Sequence, residues 1–593
     1  MVRKPRTRKE REGKKGYDRI DYLAAGIFIF ASIITIRLAD IQIFQHAFYQ
    51  ALAADQHSLY EKLSPERGEI YVRDRDNPDA LFPLAVNKSF FLVYAEPMRV
   101  ENPEEVVSQL APLLEIEDDE DKMAMLEKLK KEGDLYEPLK RQVTVAIVEQ
   151  IKELELAGIE FQEEFYRYYP ENNIGAHILG FLGISVDTKV GQYGLEGYWE
   201  EELAGQAGFL QAEKDARGRW ITFGTKVLEE AQDGEDLILT IDRTIQYEAC
   251  KSLNETVAKH GADGGSVIIM NPNTGAITAM CGSPDFDPNK YNEVEDLNVF
   301  INPATFYIYE PGSVFKAITM AAALDHGAVT PSTTYTDTGS EEFGRFTIKN
   351  FDGKAYGVNT MTEVLEKSLN TGAIFAARSI GPEVFEDYLK RFGFGEKYGL
   401  ELNSEARGDI SSLSGYKEIY MATASFGQGI SVTLLQMTNA FGAIANGGKL
   451  MNPYIIDEVV SGDGTGIKTE PRELRQVISQ NTATTLGAML ANVVQNGHGQ
   501  RAGVLGYFVA GKTGTAQIAN TNGPGYDPDF TIGSFCGFAP TDNPKFVMCV
   551  KIDKPRTVQF AESTAAPLFG ELAKFMLQYY SIPPNDLSAL ANN

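Results

Sequence analysis

Residues 307–327 read YIYEPGSVFKAITMAAALDHG. Pro311 and Gly312 interrupt the chain, and the stretch after Phe315 is apolar and rich in alanine, so a helix is expected to begin here. Ser313 and Lys316 stand three residues apart at that start, on one helix face. A serine hydroxyl is a weak nucleophile until a base takes its proton. A lysine amine can be that base once burial or a neighbouring cation lowers its pKa. The helix start adds unpaired N–H groups and a positive dipole end, which favour developing negative charge. Ser-x-x-Lys alone is a weak pattern, because Ser414 and Lys417 repeat it in the polar stretch SSLSGYKE, where it reads as chance.

Two further pieces follow downstream. KSLNTG carries Ser368 and Asn370, although Ser252 and Asn254 match Ser-x-Asn as well. AGKTGTAQ carries Lys512, Thr513, Gly514 and Thr515 after the apolar YFVA. Its glycine is expected to admit the close approach of a ligand backbone.

The rest of the composition narrows the class. At 593 residues the chain exceeds one ordinary core and calls for two to four domains at about 100–200 residues each. Hydrophobic content of 43% and charged content of 23% are those of folded protein. The net charge of −27, with no basic face beyond the N-terminus, argues against nucleic acid. Cys250, Cys281, Cys536 and Cys549 form no CxxC, and the histidines form no HExxH or HxH, so neither a disulfide scaffold nor a metal site is expected. No cofactor is called for.

The N-terminus differs from everything after it. Residues 3–19 hold nine Lys/Arg against three Asp/Glu, and Tyr22–Ile36 is uncharged. Those fifteen residues fall short of the ~20 of a full span, but Arg37 can snorkel and lengthen the stretch. No A-x-A cleavage site follows, so an uncleaved single-pass anchor is expected. Its basic flank keeps the N-terminus cytoplasmic and the bulk outside.

Beyond the anchor, residues 45–62 read as a helix leaving the membrane. SPERGEIYVRDRDNPDALFPLAV reads as strand and turn, 100–157 as charged helices, and the stretches from Phe161 and from Gly191 as glycine- and aromatic-rich loops. GGSVIIMNPNTGAITAMCG reads as a hairpin, 311–500 as dense apolar helices, and FTIGSFCGFAPTDNPKFVMCVKID as a second hairpin before a final helix from about Ala566 to Tyr579. Strands at both ends with helices between them predict one α/β domain whose sheet joins its start to its finish.

The order Ser-x-x-Lys, Ser-x-Asn, Lys-Thr-Gly within about 200 residues resembles the penicillin-binding protein and serine β-lactamase superfamily. With RGEIYVRD, YRYYPENNIGAHILGFLG, GLEGYWEEELAG and SFGQGISVTLLQMTNAFGAIANGG, nearly the whole chain is similar to a class B penicillin-binding protein, and SLNTG and SFGQGISVT look like its division-type branch.

That resemblance implies an α/β transpeptidase domain on a β-rich pedestal with one N-terminal transmembrane helix. The expected division is a basic tail at 1–20, an anchor at 21–44, a pedestal at 45–232, the transpeptidase domain at 233–580 and a tail at 581–593. It also implies a D-Ala-D-Ala transpeptidase acting on peptidoglycan stem peptides and acylated by β-lactams. Ser313 would be the nucleophile, Lys316 its base, Ser368 a proton relay and Asn370 a holder of the peptide amide. Lys512 would be a fixed cation that keeps Lys316 neutral and draws the substrate carboxylate, with Thr513, Gly514 and Thr515 beside it. The backbone N–H groups of Ser313 and Thr515 would form the oxyanion hole. No glycosyltransferase pattern is present, so glycan polymerisation would fall to a membrane partner of the shape, elongation, division and sporulation type.

The competing readings are an elongation-type transpeptidase, a β-lactamase or β-lactam sensor, and a catalytically silent scaffold. In GLELN at 399–403, Gly399 stands where a class A β-lactamase would carry its loop glutamate.

Overall fold

The computed structural model describes residues 27–28, 30–35, 58–63, 65–131, 133–185, 188–213, 226–520, 523 and 525–586. They fall into two units. The larger comprises Glu66–Gly205 and Asp233–Asn593.

A five-stranded sheet organises the larger unit. Its order is Ile277–Ser283, Gly264–Met270, Phe546–Asp553, Tyr526–Ala539 and Ala510–Ala519, antiparallel throughout. Gly264–Met270 and Phe546–Asp553, from near the two ends of the expected domain, thus lie side by side, as the pattern of strands at both ends predicted, although its expected first strand, Asp236–Leu239, joins another sheet. Side chains alternate between two cores. Val267 and Ile269 pack with the C-terminal helix Ala565–Tyr579, whereas Ile268 and Met270 pack with Leu434–Ala445 and Lys316–Asp325. Helices cover both faces, which is why Gly264–Met270 is buried at every residue.

Between these ends the chain is less uniformly helical than expected. Residues 334–360 form two short hairpins: Thr334–Asp337 pairs with Gly357–Thr360, and Ser340–Phe343 pairs with Phe346–Lys349. Left-handed glycines at 339, 344, 353 and 357 turn this segment back on itself.

A second sheet runs Gly466–Lys468, Ile456–Val460, Asp236–Leu239, Ile70–Arg73, Leu81–Ala95 and Glu137–Val143, with Ile159–Tyr168 also paired to Leu81–Ala95. Phe161–Tyr168, expected as loop, is therefore strand. The fifteen-residue Leu81–Ala95 offers it a ten-residue ladder that local composition does not reveal. The helices Pro103–Leu113, Asp119–Leu129 and Val145–Glu153 enclose a small core of their own around Leu110, Met125 and Ile151.

Three stretches singled out in the sequence converge on one buried carboxylate. Glu196, from GLEGYWE, accepts from Arg67 Nε of RGEIYVRD at 2.8 Å, Arg167 Nε of YRYYP at 2.6 Å and Tyr169 OH at 3.2 Å. Burial alone would raise its pKa, but Arg167 and Arg67 outweigh burial and hold it below the usual carboxylate range.

The cysteines are paired, which corrects the reading of four scattered thiols. Cys250 is bonded to Cys281, and Cys536 to Cys549 directly across from it on the neighbouring strand.

The other unit comprises Met1–Pro65 and Gln206–Gln232. Its described strands, Ser58–Leu63, Gly208–Glu213 and Lys226–Glu229, form one antiparallel sheet. Residues 58–62, expected as helix, are strand, and residues 45–57 lie outside the described residues. Of the expected anchor at 21–44, residues 27–28 and 30–35 are described, as helix. The basic tail at 1–20 lies outside them. Among the described residues no helix is long and apolar enough to cross a membrane.

Candidate active site

Ser313 lies in a 3₁₀ turn, Gly312–Phe315, and the α-helix proper begins at Lys316. Two glycines hold that turn. The Gly312 N–H donates to the Gly427 carbonyl at 3.0 Å. A Cβ on Gly427, at φ +79°, would stand 2.3 Å from the Gly312 oxygen. Gly514 is the other. A Cβ there would meet the Pro311 oxygen at 2.7 Å and the Val314 nitrogen at 2.9 Å. The Lys-Thr-Gly glycine therefore admits the chain's own serine turn. Gly427 was not singled out, because its requirement arises only where two distant loops touch.

The lysines meet at the second motif. Lys316, 1% exposed, donates to the Ser368 carbonyl oxygen at 2.5 Å and to the Ser368 hydroxyl at 3.3 Å. Lys512, fully buried, donates to the same hydroxyl at 3.0 Å and to the Thr513 carbonyl at 3.1 Å. Ser368 itself sits at φ +53°, left-handed, between the helices Met361–Glu366 and Asn370–Ile380. A non-glycine residue there costs roughly 1–3 kcal/mol and persists only where its surroundings impose it.

Burial and then the charge of Lys512 hold Lys316 well below the ordinary lysine range. Burial alone brings Lys512 down to about 7.

Asn370 opens the helix Asn370–Ile380, and its Nδ2 donates to the Lys349 carbonyl at 2.8 Å. Ala510–Ala519, which carries Lys512 to Thr515, is an outer strand of the sheet, with an edge to which an extended peptide can add. Thr513 is buried, and the Thr515 hydroxyl accepts the Ala561 N–H at 3.1 Å. Three residues before the serine, Glu310 accepts from the Gly429 N–H at 2.9 Å and from Tyr526 OH at 3.0 Å, and burial pushes its carboxyl up.

The rival matches are not assembled. Ser414 donates to the Ser411 carbonyl, while Lys417 lies over the Tyr420 ring. Ser252 and Asn254 bond separately to Glu571 and Asp285.

A serine on a tight turn, two buried amines sharing one hydroxyl, and an outer sheet strand are parts that acyl transfer calls for. Residues 265–574 match the penicillin binding protein transpeptidase domain, and residues 62–239 match the penicillin-binding protein dimerisation domain. The chain belongs to this family, as a class B penicillin-binding protein and a serine-type transpeptidase.

It is 35% identical to the stage V sporulation protein D of Bacillus subtilis, over 95% of this chain and 85% of that one. It is 31% identical to the penicillin-binding protein PbpB of Mycolicibacterium smegmatis, over 93% of this chain and 88% of that one. Among solved structures, penicillin-binding protein 3 of Mycobacterium tuberculosis complexed with aztreonam matches with a TM-score of 0.68 and 27% identity, over 88% of this chain and 98% of that one. Penicillin-binding protein 2X of Streptococcus thermophilus has the same fold, with a TM-score of 0.76 at 23% identity over 88% of this chain and 81% of that one.

Proposed function

We propose that the chain is a membrane-anchored peptidoglycan D,D-transpeptidase that cross-links stem peptides during septal wall synthesis. The observation that carries the reaction is the convergence of Lys316 and Lys512 on the Ser368 hydroxyl, beside the turn that presents Ser313.

In this reading neutral Lys316 takes the Ser313 proton, and the serine oxygen bonds to the carbonyl carbon between the two terminal D-alanines. The N–H groups of Ser313 and Thr515 receive the oxyanion. The C–N bond then breaks, and the proton passes from Lys316 by way of Ser368 to the departing D-alanine amine. An amine of a second stem peptide attacks the ester, its proton returns to Ser313, and a cross-link remains. Asn370 holds the peptide amide. Protonated Lys512, with Thr513 and Thr515, holds the terminal carboxylate. A β-lactam enters by the same acylation.

The proposed division is a basic tail at 1–20, an anchor at 21–44, a pedestal at 45–232, the catalytic domain at 233–580 and a tail at 581–593. The basic and apolar N-terminal sequence supports anchoring with the bulk outside. Two disulfides suit an oxidising compartment. Glycan polymerisation falls to a membrane glycosyltransferase of the shape, elongation, division and sporulation type.

Labelled penicillin should mark the protein, and Ser313→Ala should abolish the mark without unfolding it. A fluorescent fusion should gather at mid-cell, and a side-wall pattern would replace the septal role with elongation. The 35% identity to a protein named for sporulation favours a second reading, a role in spore formation, which recruitment only in sporulating cells would establish.

A further inference from the structure

The helix that begins at Asn370 is capped from elsewhere in the chain. Its N-cap position is Leu369, which is buried in the core and has no side-chain acceptor to offer. The acceptor is Asn350, twenty residues upstream. Its Oδ1 takes the Asn370 N–H at 3.0 Å and the Thr371 N–H at 3.3 Å, two of the amides that a helix start leaves unpaired. The orientation of the Asn350 amide is fixed by chemistry: Oδ1 faces N–H groups, while Nδ2 faces both oxygens of Asp337, at 3.0 and 2.9 Å.

Asp337 is 2% exposed. Four groups donate to its carboxylate: Asn350 Nδ2, the Thr371 hydroxyl at 2.7 Å, and the N–H groups of Gly339 and Tyr356 at 2.9 and 2.8 Å. The Thr371 hydroxyl also meets Tyr335 OH at 3.2 Å. A buried carboxylate costs several kcal/mol unless its acceptor sites are filled, and these donors fill them.

A serine or aspartate at position 369 would cap a helix more simply. The arrangement in place does more than cap. It grips Asn370 from two sides, through its N–H by Asn350 and through its side-chain Nδ2 by the Lys349 carbonyl. Among the described residues the Oδ1 of Asn370 has no partner, and neither does its second amide hydrogen. Two residues before it stands Ser368, where both lysines meet.

We infer that Asp337 and Asn350 are positioning residues for the reaction: Asp337 orients the Asn350 amide, and Asn350 sets Asn370 in register to receive the amide of the donor peptide. The hairpins of residues 334–360 are the frame that carries this bracket. The inference rests on the acyl-enzyme reading above and adds the groups that hold its amide-recognising side chain.

Two acylating agents separate positioning from general support. Benzylpenicillin carries an acylamino group for Asn370 to hold, and 6-aminopenicillanic acid has a free amine there. Asn350→Ala should slow acylation of Ser313 by benzylpenicillin about tenfold or more, the cost of one substrate hydrogen bond, while 6-aminopenicillanic acid changes less than about threefold. Asn370→Ala should show the same bias, and the double variant should be no slower than Asn370→Ala alone. Asp337→Asn, of nearly unchanged shape, should reproduce the bias if Asn350→Ala folds poorly. Equal losses with both agents in these variants, or additive losses in the double variant, would overturn the inference alone. A wild-type chain that took up neither agent would overturn the acyl-enzyme reading and this inference with it.

Discussion

One hydroxyl joins the two buried amines of the site: Ser368 Oγ lies 3.3 Å from Lys316 Nζ and 3.0 Å from Lys512 Nζ. Burial holds both amines below the ordinary lysine range, and the Ser368 hydroxyl lies between them. A fold that buries two lysines gives up stability, and the loss can be measured.

Lys512→Met removes one buried amine. An ordinary lysine keeps its proton up to 10.5, but Lys512 gives its own up at about 7. Between those values the unfolded chain binds a proton that the folded chain lacks, so this group makes stability rise with pH. The methionine variant should therefore melt higher at pH 7, by on the order of 1–3 kcal/mol once its lost hydrogen bonds are subtracted. The gain should fade as the pH approaches 10. Acylation should slow by about 10²–10⁴. Thermal melts across that pH range, alongside penicillin labelling, check both; a variant less stable at pH 7 would contradict the argument.

Two glycines with nearly the same φ should part company on mutation. Gly427 and Gly464 sit at φ +79° and +82°, but a Cβ on Gly427 meets the Gly312 oxygen at 2.3 Å, whereas one on Gly464 meets nothing within 4 Å. Gly464→Ala should cost about 1 kcal/mol from its left-handed backbone and leave acylation unchanged. Gly427→Ala must also displace the Ser313 turn, and its acylation rate should fall about 100-fold, since roughly 1 Å of misplacement costs that much. Equal acylation in the two variants would show that the turn tolerates the shift.

These contrasts mark what the sequence could and could not disclose. The central sheet was legible because hairpin turns and apolar runs are local signals, and GGSVIIMNPNTGAITAMCG and FVMCVKID carry both. The Ser313–Lys316 spacing and the Lys-Thr-Gly run were legible because each is a short local pattern. Asn350 and Asp337 were not, since an asparagine and an aspartate in a polar stretch look like turn residues until the fold brings them behind Asn370. Phe161–Tyr168 was missed for a related reason: its partner strand lies about seventy residues away. The RGEIYVRD, YRYYP and GLEGYWE stretches could be matched to a family, but that they surround one carboxylate is visible only in three dimensions.

That carboxylate supplies a stability prediction. Glu196 is fully buried between Arg67 and Arg167. Glu196→Gln keeps the shape and removes the charge, leaving two guanidinium groups with, among the described residues, Glu200 to offset Arg67. The expected cost is about 3–5 kcal/mol, read as a lower denaturation midpoint. Because the folded carboxyl is held below its ordinary range, its contribution is present at neutral pH and is lost as the pH falls through that depressed value. The wild-type and Gln curves should therefore converge in acid; parallel curves down to low pH would remove Glu196 from the account.

The last prediction concerns the lifetime of one ester. A transpeptidase and a β-lactamase both acylate their serine, so trapping penicillin on Ser313 cannot separate them; what attacks next can. Rapid hydrolysis needs a water activated by a base opposite the ester carbonyl. The loop that resembles the β-lactamase loop, 399–403, holds one carboxylate, Glu401, and Glu405 follows two residues on; both are committed to backbone. Glu405 accepts the N–H groups of Tyr398, Gly399 and Leu400 at 2.6, 2.9 and 3.2 Å, and Glu401 accepts that of Ile455 at 3.3 Å. Gly399 itself is exposed at φ +73°. The tethered leaving amine of an opened β-lactam also blocks the side from which an acceptor would come. The penicilloyl ester should persist for minutes to hours, seen as an added penicillin mass on the intact protein after free drug is removed. Ser313→Ala should show no added mass. Gly399→Glu should leave the lifetime within about threefold, since a left-handed backbone resists the new side chain. Turnover of penicillin many times per second would make the chain a hydrolase instead.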